Sequence, residues 1–476
     1  MPGIFLSYRR ADTQPWAGHL FDDLAKSFGA SQVFMDINGG IPRGANFEQT
    51  LTTALAGCDA LIALIGPQWT ACKRSDGIRR LDVPADWVRN EIGTALRRKI
   101  CVTPVLFGGA RLPGTTELPE DLQPLLVNNA AEVTDTRWPY DVGELVKDLV
   151  RVPLLKHLYD IALINAGLEG LKRLIGTVPA VADAVSRSKE VIATTHREVG
   201  RLELFKTIHD SFHSMETRCL LPMRAGGQAP LFEKEFSRQA RRIREAMHER
   251  DLDPNLQGDI LDALDSTASA FQSATAAASD AAFERVINEF LRLFSSVPAA
   301  LDMGIAQAAA GLNLDRLADL MARVRDLLPA PAGQEGQLKP LLQGIDGLGA
   351  LNLELKTRVK EHGGLQRLDS KLRAVCDGET RMGDLAEEWT RIKQTRSRLV
   401  SPYSVELEPA IEELADAERE IEAALASKDE VAAQNYVRQF YTTITYAFQD
   451  VDRGLKELCL RLTAVSEPIK TILAMC

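Results

Sequence analysis

Ala60-Leu61-Ile62-Ala63-Leu64-Ile65 is an unbroken apolar run, closed by Gly66-Pro67. A strand with one wet face alternates apolar and polar residues, whereas a strand covered on both faces does not. The run therefore reads as a central strand of a parallel sheet with helices on either side. Its surroundings repeat the theme. Ile4–Tyr8 and Gln32–Asp36 read as strands before it, and Ile100–Leu106 and Ala130–Val133 as strands after it. Arg9–Asp12 reads as a loop leaving the first strand. Trp16, Leu20, Phe21, Leu24 and Phe28 then recur at helical spacing, and Gly29 stops that helix. A second helix is expected over 46–56, with Phe47, Leu51 and Leu55 on one face. A third runs through Trp87–Leu96, starting near Asp86 or Pro84, and a fourth from Pro139 to Val150. Strands alternating with helices over residues 1–150 imply an α/β domain built on a parallel sheet.

Ligands of such sheets bind outside the carboxyl ends of the strands. Those ends carry Arg9, Arg10, Asp36, Trp69 and the lead-in to Trp87. Trp87 and Glu91 are four residues apart, so both project from one helical face. An acid one turn from an aromatic ring suits a flat cationic ring and the positive charge beside it. The pair taken alone also fits an indole in the core and a solvated surface acid. No Gly-x-Gly-x-x-Gly fingerprint is present, which argues against a dinucleotide held as a Rossmann-bound cofactor.

Phe5-Leu6-Ser7-Tyr8-Arg9-Arg10, Val33-Phe34-Met35-Asp36, the Gly/Pro-rich stretch up to Phe47, Cys58-Asp59 and Trp87-x-x-x-Glu91-Ile92 resemble, in order and spacing, a Toll/interleukin-1 receptor (TIR) domain. The resemblance is closest to TIR domains of prokaryotic defence proteins and of NAD-consuming TIR enzymes. It implies a flavodoxin-like sheet of five parallel strands. Ile37–Ala45 would be the family's BB loop, which moves between free and assembled states. The resemblance also implies that Glu91 is catalytic, since enzymatic members carry a glutamate at this position and signalling adaptors usually lack it. The expected activity is cleavage of the nicotinamide–ribose bond of NAD, a substrate here and not a cofactor. The products would be nicotinamide with ADP-ribose or a cyclic ADP-ribose. Tyr8, Arg9, Arg10, Phe34, Asp36, Trp69 and Trp87 are the candidate substrate-binding residues, the arginines toward phosphate and the aromatics toward the rings. Self-association, through this domain and the helical remainder, would complete the site, with phage defence as the family-level setting. A non-enzymatic TIR interaction module is the alternative, and a nucleoside-processing enzyme on a similar sheet is a third reading.

From Val152 onward strand-like alternation nearly disappears, and Ala, Leu, Glu and Arg recur with helical periodicity. Helical regions are expected over 151–328 and 341–476, with a linker at Leu328–Gly333 between them. A helix from Leu154 to Ile175 is expected to break near Gly167 or Gly170. Met223–Pro230 reads as a loop, and Phe283–Phe294 marks an amphipathic helix. Ile411, Leu414, Ile421 and Leu425 precede a turn at 427–429, and Tyr436–Leu462 then forms a long helix paired with that stretch. His209 and His213 are four residues apart, but the glutamate that the metalloprotease motif places after the first His is missing. No metal-ligand spacing is evident.

A net charge of −10 argues against a phosphate-backbone binder. No apolar run is long enough to span a bilayer, and the N-terminus reads into a strand with no leader-like pattern. Seven scattered cysteines without a Cys-x-x-Cys pair indicate reduced thiols. These features point to a cytoplasmic chain that acts on neither nucleic acid nor membrane.

Overall fold

The computed structural model describes residues 3–35, 58–224, 232–248, 254–277, 280–328, 335–376, 389–390, 419–427 and 429–476. They group into two compact units, 1–170 with 331–347 and 171–330 with 348–476. In the first unit β1 (Ile4–Ser7), β2 (Val33–Phe34), β3 (Ala60–Ile65), β4 (Cys101–Leu106) and β5 (Ala131–Glu132) form one sheet in the order β2-β1-β3-β4-β5. Every pairing is parallel. This is the doubly wound, flavodoxin-like order.

The apolar run at β3 sits where its composition demands. Every residue of β3 is buried. Ala60, Ile62 and Leu64 enter a core with Leu20, Leu24 and Phe28 of helix α1 (Arg10–Phe28). Leu61, Ala63 and Ile65 enter a second core with Val88, Ile92 and Ala95 of helix α2 (Trp87–Arg97). Fully burying one such Leu or Ile contributes about 1.5–3 kcal/mol. A one-residue slip would exchange every side chain between the two cores, so the register is well specified. In β1, Ile4 and Leu6 join the first core and Phe5 the second. By the same alternation Ser7 lies on the face that α2 covers.

Two local expectations are corrected. Arg10–Asp12 are the first turn of α1, not a loop. Their helix is anchored by Asp12, whose carboxylate accepts from the backbone N–H of Gly66 at 3.0 Å and of Gln68 at 2.8 Å. Gly66 is needed there, because a Cβ would stand 2.5 Å from the Asp12 carboxylate. The second strand is shorter than the stretch Gln32–Asp36, because Ala30–Gln32 form a 3-10 turn and pairing covers only Val33 and Phe34. Asp36, the Ile37–Ala45 loop and the helix expected over 46–56 lie outside the described residues.

Helix α3 (Trp138–Leu149) closes the sheet domain, and α4 (Pro153–Thr177) follows. Helix α4 runs unbroken through Gly167 and Gly170, against expectation. Those glycines serve a close crossing instead. A Cβ on Gly167 would lie 2.5 Å from the Gly344 Cα, and one on Gly347 would lie 2.8 Å from the Asp160 carbonyl oxygen. Backbone on both sides leaves no flexible atom to yield. Gly167→Ala should therefore loosen this crossing by about 1–3 kcal/mol. Faster amide exchange in residues 160–170 and 338–347 checks it, and unchanged exchange would show that the contact carries no strain.

The second unit is helical. Helix 189–215 is its hub, packed by 233–248, 280–311 and 466–474. Phe236, Phe271 and Phe290 form an aromatic cluster with centroids 5.1–5.7 Å apart. The expected helix at Phe283–Phe294 lies within 280–311, and Val286 and Phe290 are buried. Met223 and Arg224 end a short helix, whereas 225–230 lie outside the described residues. The Leu328–Gly333 linker is described only at Leu328, and Ile411 and Leu414 fall outside as well. Ile421 and Ala424 share a core with Ala433 and Val437 of helix 430–462, across a turn capped by Asp429. Among the described residues no helix is long and apolar enough to cross a membrane.

Candidate active site

The carboxyl end of β1 opens into a cleft of about 460 Å³ lined by Phe5, Leu6, Tyr8, Arg9, Arg10, Ala11, Cys72, Arg80, Asp86, Trp87, Val88 and Glu91. Its volume lies within the range of small-molecule sites. Two buried links fasten the exit of β1 to α2 and shape the wall. The Ser7 hydroxyl donates to Glu91 Oε2 at 2.6 Å. Arg9 Nη1 donates to Asp86 Oδ2 at 3.0 Å, and Nη2 to Oδ1 at 2.8 Å. The spacing makes both links possible at once. Two residues of strand advance about 6.7 Å and five residues of helix about 7.5 Å, so 7 meets 91 while 9 meets 86.

Asp86 is the N-cap of α2; it also accepts from the backbone N–H of Arg89 at 3.1 Å. This settles the helix start at Asp86 over Pro84. Trp87 and Glu91 then follow as the first and fifth residues of the helix. Trp87 is 44% exposed at the cleft, whereas Glu91 is only 9% exposed. The indole is thus not a core residue, and the acid is not a solvated one.

Five of the sequence-derived site residues, Tyr8, Arg9, Arg10, Trp87 and Glu91, line this one cleft. Arg9 has both terminal nitrogens engaged by Asp86, and its Nε makes no hydrogen bond among the described residues. Phe34 stacks on Phe5 at 5.2 Å, behind the lining. Trp69 is fully buried in the core with Phe5, Leu61 and Val88. Asp36 lies outside the described residues. Ser7, Cys72, Arg80 and Asp86 are additional. Ser7 carries a signal in hindsight, being a hydroxyl at the end of a strand that is buried throughout. The Cys72 thiol is pushed up by burial, partly offset by the positive charge of Arg9, so it is a poor nucleophile at neutral pH. Among the described residues no cluster of His, Cys, Asp and Glu is arranged to hold a metal ion.

The sheet order, the cleft at its carboxyl edge and the buried acid beside an exposed indole define the class: a flavodoxin-like domain with a ligand-sized site at its strand ends. Residues 4–137 match the family model described as TIR domain, which spans the five strands and stops before the helical region. The chain thus carries an N-terminal TIR domain followed by helices. No curated protein matches the chain.

Proposed function

We propose that the TIR domain cleaves the bond between nicotinamide and ribose in NAD, with Glu91 as the catalytic carboxylate. One observation supports this most: a carboxylate nine-tenths withdrawn from water, held by Ser7, in a cleft edged by an exposed indole and arginines. The leaving pyridine already carries positive charge and departs neutral, so no general acid is required. This differs from ordinary glycoside hydrolysis, which uses two carboxyl groups. As the C1′–N bond stretches, positive charge moves onto the ribose. A fixed carboxylate itself largely withdrawn from water stabilises that charge more than water does. Ser7 fixes one Glu91 oxygen and so orients the carboxylate. The Trp87 ring suits the nicotinamide face. Water then bonds to C1′ and releases a proton, giving ADP-ribose; attack by the adenine ring would give a cyclic product instead.

The exposed side of Trp87 leaves the cleft open, and a second copy of the chain covering it would raise turnover. Incubating the full chain with NAD over a range of protein concentrations tests both points. Nicotinamide should appear, and the rate per chain should rise with concentration. No nicotinamide at any concentration, from folded protein, would favour a non-catalytic interaction module.

A further inference from the structure

The helical unit holds a pocket of its own, of about 380 Å³. Its longest wall is the hub helix 189–215, which contributes Glu203, Lys206, Thr207 and Asp210. Residues at i, i+3, i+4 and i+7 share one helical face, and a face packed among other helices is ordinarily apolar. Here all four are polar. Helix 233–248 adds Arg242 and, one turn on, Ala246. The 3-10 turn 463–465 adds Thr463 and Ala464. The two alanines leave room, and Leu204 is the only large apolar side chain in the lining.

The charges converge on Asp210. Burial pushes its carboxyl up, but contact with His209 and the positive charges of Lys206 and Arg242 outweigh that and hold it below the usual range. Among the described residues neither cation closes an ion pair. Lys206 Nζ donates instead to Thr463 Oγ1 at 3.4 Å, while the Thr463 hydroxyl donates to the Leu460 carbonyl at 2.7 Å. Glu203 stands two turns of helix from Asp210, about 10 Å, with Lys206 between the two acids.

This lining selects among ligands. An apolar helix would find little to bury, a polyanion would meet two carboxylates, and a neutral sugar would leave two cations unanswered. One phosphate with several hydroxyls meets all of it. Guanidinium and ammonium groups hold phosphate, and a carboxylate accepts from ribose hydroxyls. We propose that this pocket binds a phosphorylated sugar, with the phosphate at Lys206 and Arg242 and a hydroxyl on Asp210. The site does not depend on NAD cleavage.

The test is equilibrium binding of ribose 5-phosphate to the full-length chain, with inorganic phosphate and ribose as comparison probes. Ribose 5-phosphate should bind more tightly than either, and should slow amide exchange in 203–210 and 460–466. Arg242→Gln should weaken it about tenfold, the scale of one lost charged hydrogen bond. In Asp210→Ala the preference for ribose 5-phosphate over inorganic phosphate should fall by about as much, because the hydroxyl loses its acceptor. Arg187→Gln, on helix 179–187 and paired with Asp183, should leave binding unchanged. Failure of the wild type to bind ribose 5-phosphate would overturn the site, as would equal affinity in Arg242→Gln. Equal affinity of the wild type for ribose 5-phosphate and inorganic phosphate would overturn the sugar.

Discussion

Glu91→Ala should release nicotinamide from NAD at least about 100-fold more slowly than the wild type, with the domain still folded. The charge of Glu91 is withdrawn from water and held at 2.6 Å by Ser7. Its removal takes away the group that meets the developing ribosyl cation, and it also relieves the domain of a buried charge. Glu91→Gln separates shape from charge, because the amide oxygen still accepts from Ser7 while the negative charge is gone. It should lose nearly as much rate as alanine. Ser7→Ala keeps the charge and loses one hydrogen bond to it, so a loss of about tenfold is expected, chiefly in kcat. Initial rates alongside circular dichroism check the series. Near-wild-type turnover in Glu91→Ala would remove Glu91 from the mechanism.

The second large effect falls on stability. Asp86→Ala should destabilise the sheet domain by about 3–5 kcal/mol, because it strands the Arg9 guanidinium in the wall without its partner. Loss of the N-cap of α2 adds about 1 kcal/mol. Combining Asp86→Ala with Arg9→Met removes both charges of the pair and should recover much of the loss. Amide exchange of β1 and β3 reads this domain apart from the helical unit. A loss under about 1 kcal/mol in the single variant would mean that the pair is screened like a surface bridge.

How far the sequence discloses this arrangement differs from residue to residue. β3 is readable because a strand covered on both faces must be apolar throughout, and Ala60–Ile65 is. The stop of α1 is readable because Gly29 adopts φ 94°, a conformation that suits glycine. The shared face of Trp87 and Glu91 follows from helical geometry alone. The links that make a site of them do not. Ser7 and Glu91 are 84 residues apart and Arg9 and Asp86 are 77 apart, and pairing over such distances is decided by the fold. Arg9 therefore reads in sequence as a phosphate ligand, whereas in the structure its fork grips the cap of α2. Gly167 and Gly170 read as a helix break because the segment that packs against them is 170 or more residues downstream. Trp69 reads as a pocket residue because it follows a strand end, yet it turns into the core.

The central claim is that the bond between nicotinamide and C1′ is the one broken. Its most direct test is to incubate the full chain with NAD in water enriched in oxygen-18 and locate the label in the products by mass spectrometry. The account expects nicotinamide to be released and the label to sit on the C1′ hydroxyl of any linear ADP-ribose. Label on a phosphate, or NAD left intact by folded and assembled protein, would contradict it.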